Sequence, residues 1–184
     1  LELQRYIIIT IFLLSLILLS SCNKKEESTN QQNSSSGEFV WKESISAKDI
    51  PDAPLKGKID GKDFNPVYTV FEQWRGSNDN VLAFSDKTPK NKCGFIENYN
   101  GYQLTKIGAE FKVGEFVKDS FVKNLEGYSA DFHVTENDDM RKINAGWNAA
   151  LLITEINDDV VKGKIAMCFK DEKKSWIAGK FEAI

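Results

Sequence analysis

His133 is the only histidine in this chain of 184 residues, and that scarcity bounds its chemistry. A histidine-rich metal site is excluded. A Ser-His-carboxylate triad could be built only on His133, whose strand neighbour Asp131 shares its face, but no Gly-x-Ser-x-Gly segment supplies a nucleophile. His133 therefore reads as a surface or half-buried side chain, because catalysis needs groups converging from several elements. Basic excess is also missing: 24 Lys and Arg stand against 27 Asp and Glu, a net charge of −3 with no basic stripe. Nucleic acid is not an expected partner.

Calcium-loop spacing is lacking too. Residues 135–139 and 154–159 are rich in Asn and Asp, but neither has the central glycine and final glutamate of a twelve-residue calcium loop. Asn and Asp side chains bond their own backbone in turns, so both segments are expected to end strands. No metal or cofactor is expected. Carboxylates are plentiful, but nothing in the sequence places two at a catalytic separation.

No apolar run is long enough to cross a membrane as a helix. The longest, residues 6–19, has fourteen positions against the roughly 20 required, and Thr10 and Ser15 dilute it. With Arg5 before it and Ser20 and Ser21 after it, the run reads as a secretory signal. Ordinary cleavage wants small residues at the first and third positions before the cut, and Leu19 occupies the third position before Cys22. Leu19-Ser20-Ser21-Cys22 instead resembles the lipobox of bacterial lipoproteins.

That resemblance implies removal of residues 1–21, diacylglycerol on the Cys22 thiol and acylation of the new amino group, with palmitate among the expected chains. Each buried methylene contributes about 0.8 kcal/mol, so two or three chains hold a protein stably on its membrane. Asn23 replaces the aspartate that marks inner-membrane retention in enteric bacteria. The expected location is the bacterial outer membrane, facing the periplasm or the exterior.

Residues 22–38 contain no large apolar side chain and form a polar tether, whose reach grows as about 5 to 6 Å times the square root of its length. Residues 39–54 form a partly ordered lead-in, and residues 55–184 a single β-rich domain. With Cys22 lipidated, Cys93 and Cys168 remain as an even pair in an oxidising compartment. A disulfide between them is expected; the alternative is two buried thiols acting as small hydrophobes. Alternation puts Cys168 on the strand face of Lys162 and Lys164, which weighs against the bridge.

From Leu55 onward, turn residues punctuate short apolar and β-branched stretches, the pattern of an all-β domain. Asp60-Gly61 is a two-residue hairpin signal between 56–59 and 62–64. Further strands are expected over 68–74, 81–85, 94–98, 102–107, 110–113 and 128–135. Residues 147–156, 160–169 and 175–183 read as an antiparallel meander. Its core positions are Val161, Ile165, Met167 and Phe169 on one strand, and Ile177, Phe181 and Ala183 on the next. One helix is expected over 115–126, where Val117, Phe121 and Leu125 recur every four residues. Eight or nine short strands leave a mostly antiparallel sandwich and a small closed barrel both open, periodicity does not separate them, and the sandwich is slightly preferred.

The stretches 57–64, 161–165 and 177–183 resemble patterns in β-rich lipoproteins of Gram-negative bacteria; the likeness implies no activity. Exposed aromatic residues are the best sequence hint of a binding face, and Trp74 with Arg75, beside the turn at 76–80, is the candidate. The expected function is a lipid-anchored envelope binding module whose partner is a protein or polysaccharide, rather than an enzyme. A lipocalin-like carrier of a small apolar ligand and a carboxylate-based envelope hydrolase are the alternatives.

Overall fold

The computed structural model describes residues 38–74, 76–90, 96–158 and 160–184. Cys22, Arg75 and Cys93 lie outside them. Among the described residues, eleven strands follow a short 3-10 turn at Ala47–Asp49: β1 (Lys56–Ile59), β2 (Lys62–Phe64), β3 (Tyr68–Gln73), β4 (Asn80–Ser85), β5 (Gly101–Lys106), β6 (Gly114–Lys118), β7 (Tyr128–Glu136), β8 (Asp139–Ile143), β9 (Trp147–Ile156), β10 (Val161–Phe169) and β11 (Trp176–Ala183). They form two antiparallel sheets, β2-β1-β11-β10-β9-β6 and β3-β4-β5-β7-β8. Together they make a β-sandwich. Backbone hydrogen bonds from Phe71 N to Ile184 O (3.2 Å) and from Ile184 N to Thr69 O (3.3 Å) tie the sheets at one corner.

Alternation decides the interior. Val161, Ile165, Met167 and Phe169 of β10 and Ile177, Phe181 and Ala183 of β11 all enter one apolar cluster. From the opposite sheet come Leu82, Phe84, Tyr102, Leu104 and Phe132. Tyr102 stacks on Phe169 at 5.6 Å between ring centroids, and its hydroxyl donates to the backbone oxygen of Trp176 at 3.0 Å. Ring burial of this kind contributes about 1.5–3 kcal/mol per side chain. Gly163 interrupts the apolar row for a packing reason: a Cβ there would fall 2.8 Å from Cζ of Phe181 and 2.5 Å from the carbonyl of Leu152.

The outer face of the six-stranded sheet is covered by the chain that leads into it. Phe39 and Ile45 pack with Ala150, Ala166, Cys168, Trp176 and Ala178 in a second apolar cluster. Trp41 Nε1 donates to Phe169 O at 2.7 Å, and Asn148 Nδ2 donates to the carbonyls of Lys42 (3.1 Å) and Glu43 (2.9 Å). The segment thus binds as a strap, through both burial and backbone hydrogen bonds. It removes Cys168 from water entirely, although Lys162 and Lys164 on the same face keep contact with solvent. Among the described residues Cys168 has no disulfide partner, and burial pushes the pKa of its thiol up to about 11.

Three sequence expectations change. The helix expected over 115–126 is absent: 115–118 lie in strand β6, paired with β9 from Gly114↔Ile153 to Lys118↔Ala149. The four-residue spacing of Val117, Phe121 and Leu125 misleads because neighbours in the strand serve different clusters, Phe116 facing the inter-sheet core and Val117 the strap. Residues 110–113 are not a strand, and the ladder starts only at Gly114. Of the strand expected over 94–98, residues 96–98 are irregular and the remainder lies outside the described residues. Strand β8 was not expected, since Asp139, Arg141 and Lys142 mask its alternation.

Both Asn/Asp-rich segments contain turns. Asn137 (φ 51°) and Asp138 (φ 63°) take left-handed backbone between β7 and β8, and Asn157 N donates to Val160 O at 3.0 Å between β9 and β10. Among the described residues, no helix is long and apolar enough to cross a membrane.

Candidate functional site

In the five-stranded sheet the alternation that sends Leu82, Phe84, Tyr102, Leu104 and Phe132 inward turns Val81, Ala83, Ser85, Gln103, Asp131 and His133 to the other face. That face is not flat. Side chains of β3, β8 and the segment before β5 wall a groove of about 510 Å³ above it. One register row crosses the whole sheet: Tyr68 opposite Ser85, Ser85 opposite Gly101, Gly101 opposite His133, and His133 opposite Lys142. Small residues at Ala83 and Ser85 leave the hollow, and larger ones at its margins enclose it.

Tyr99 is placed by a pinned loop. Asn98 adopts φ 51°, and Asn100 is held by Asp86, whose carboxylate accepts from Asn100 N at 2.9 Å and from its Nδ2 at 2.7 Å. Thr135 of β7 completes the anchor: its N donates to Asn100 Oδ1, and its hydroxyl donates to Tyr99 O, both at 2.8 Å. The ring of Tyr99 then lies over Gly101, where a Cβ would come within 2.8 Å of it. Only glycine leaves that space.

From there the phenol of Tyr99 reaches Nδ1 of His133 at 3.1 Å. Burial raises the pKa of Tyr99, with the charges of Asp131 and Glu72 adding to the effect, so it is a neutral phenol. Burial also lowers the pKa of His133; Lys142 lowers it further, while Asp131 opposes both. The imidazole is therefore neutral near pH 7; its Nδ1 shares one hydrogen bond with the Tyr99 hydroxyl, whose direction the tautomer sets, and its other ring nitrogen is Nε2. That nitrogen lies 3.9 Å from Asp131 Oδ1, an electrostatic contact too long for a hydrogen bond.

Asp131 is 4% exposed, and Lys142 of the edge strand reaches its Oδ2 at 2.8 Å. Among the described residues its Oδ1 has no hydrogen-bond partner. A buried carboxylate with one oxygen unsatisfied is costly, which makes the Lys142 contact important to the sheet.

The rim is aromatic. Trp74 follows β3 and is 41% exposed; its backbone N donates to Asp79 O at 2.8 Å and its Nε1 to Glu72 Oε1 at 3.1 Å. Both bonds hold the indole at the groove margin, with Tyr68 at the opposite end of the same strand.

Of the residues singled out in the sequence, Trp74 lines this groove and Arg75 lies outside the described residues. His133, read above as unremarkable, lies in the groove wall with Tyr99 and Lys142. Sequence reasoning missed Tyr99, Gln103 and Lys142; the available signal was the set of small residues at outward positions of adjacent strands. Cys168 lies across the sandwich, beneath the strap. Cys93, its expected disulfide partner, and Cys22, the expected lipidation site, lie outside the described residues. Comparison with protein-family models, with curated proteins and with solved structures gives no match.

Proposed function

We propose that this protein is a lipid-anchored binding module of the bacterial outer membrane, attached through Cys22, whose site is the groove on the outer face of the five-stranded sheet. The observation that carries the reading is the groove itself: an aromatic rim at Trp74 and Tyr68 above a floor where Ser85, Gln103 and His133 are set among Val81 and Ala83, the largely apolar lining with a few polar groups expected of a recognition site. Its volume of about 510 Å³ falls within the range of ligand sites, about 300–1,000 Å³.

The packed interior supports a surface site over an internal carrier. Tyr102, Phe84, Phe132 and Phe169 fill the space between the sheets, where a lipocalin-like ligand would have to sit. The strap packs on the outer face of the six-stranded sheet and takes no part in lining the groove.

Site-specific photo-crosslinking in cells tests the proposal. A photoreactive residue at Tyr68 should capture an envelope component that the same residue at Val122, 91% exposed and remote from the groove, does not. Equal capture from both positions would remove the groove from consideration.

A further inference from the structure

We infer that the occupant of the groove is a neutral, hydroxyl-rich chain, an uncharged oligosaccharide laid across the five-stranded sheet; this rests on the groove being the binding site. The walls are mixed: Val70, Val81, Ala83, Ile96 and Met140 offer apolar contact beside the polar groups of Gln103, His133, Ser85 and Glu72, so a ligand that carries both C–H faces and hydroxyl groups matches both kinds of lining. Neither sign of charge is favoured, because the Glu72 carboxylate opposes an anion and the Lys142 ammonium, paired with Asp131 at 2.8 Å, stands on the same groove.

A peptide is disfavoured by topology. The groove floor is the face of β4, β5 and β7, each paired on both sides, so the backbone groups are engaged within the sheet. Extended peptides take their affinity from unpaired edge backbone. Only side chains face the ligand here, and those side chains suit hydroxyl groups. Gln103 Nε2 donates to Thr105 Oγ1 at 3.2 Å, which orients the amide and leaves its carbonyl as an acceptor. The Glu72 carboxylate accepts, and the Ser85 hydroxyl, which accepts from Lys87 N at 3.0 Å, can donate.

Rings supply the remaining requirement. Trp74, Tyr68 and Tyr99 give flat apolar surfaces that match the C–H faces of pyranose rings while their polar atoms stay hydrogen-bonded or wet. Four strand intervals separate β3 from β8, a span of about 19 Å at a spacing of about 4.8 Å, which accommodates a short oligosaccharide.

The test uses the full chain in a detergent without a sugar headgroup. A panel of neutral hexasaccharides built from glucose, mannose, xylose and N-acetylglucosamine, with hexagalacturonate as the acidic comparator, is titrated by calorimetry and tryptophan fluorescence. At least one neutral member should bind saturably, more tightly than the comparator, and weaken tenfold or more in Trp74→Ala and in Gln103→Ala. A silent neutral panel, stronger binding of the acidic chain, or neutral binding unchanged in both variants would overturn the inference. Capture of envelope material by immobilised wild type and Trp74→Ala separates the two levels. Capture lost in the variant beside a silent neutral panel leaves the groove standing and removes the oligosaccharide; capture equal in both removes the groove and the oligosaccharide with it.

Discussion

The phenol of Tyr99 stands 3.1 Å from Nδ1 of His133, joining a loop pinned by Asp86 to the middle of a sheet wall. The contact lets one proton report on the whole groove. Because His133 is the only histidine, its resonance can be followed without assignment by mutation.

His133 should titrate below its ordinary value of 6.5, since burial disfavours the imidazolium. The unfolded state then binds a proton that the native state refuses, so stability is complete above about pH 6.5 and falls as pH drops toward the folded pKa, below which this contribution is constant. Lys142→Met should raise the pKa by removing a repelling ammonium, and Asp131→Asn should lower it. A proton NMR titration checks both signs, and an imidazole titrating above 6.5 in the native protein would contradict the geometry.

Gly101→Ala should destabilise the protein by about 2 kcal/mol or more. The new Cβ would meet the carbonyl of Phe84 at 2.3 Å and the ring of Tyr99 at 2.8 Å, and the first of these is backbone that cannot rotate away. Thermal unfolding measures the loss, and the His133 resonance should shift as Tyr99 is displaced.

Lys118 is a buried lysine on the other sheet. Its ammonium donates to Ser120 O at 2.8 Å and to Trp147 O, and lies 4.7 Å from the Trp147 ring centroid. Replacing it by Met keeps the apolar stem but leaves carbonyls without a donor, which should cost about 2–3 kcal/mol. Chemical denaturation of Lys118→Met against wild type gives the value; an unchanged midpoint would show that water replaces the ammonium.

The thiol of Cys168 should resist alkylation at neutral pH, because the strap covers it and burial lifts its pKa to about 11. Trp41→Ala, which removes a hydrogen bond to Phe169 O and the stacking on Phe121, should speed labelling several-fold. Peptide mapping without reductant reads the labelling, and a Cys93–Cys168 linked peptide in that map would establish the bridge in place of the free thiol.

Cys22→Ser should move the protein from the membrane fraction to the soluble fraction and abolish incorporation of labelled palmitate. Retention on the membrane with no label would remove the lipid anchor from the proposal.

The sequence by itself determined the all-β class, the β9-β10-β11 meander and the inward faces of β10 and β11. Those features follow from alternation with period two and from local turn chemistry such as Asp60-Gly61, both of which act over a few residues. Tertiary structure decided the rest. Residues 115–118 became a strand because the edge of β9 offered them hydrogen bonds, and Cys168 was buried because a strap more than a hundred positions earlier in the chain crossed its face. Register set Lys142 of β8 opposite His133 of β7, and a loop pinned by Asp86 and Thr135 brought Tyr99 to the same histidine. Local pattern sets which way a side chain points; only the packing of distant segments sets what stands opposite it, and the groove consists entirely of such oppositions.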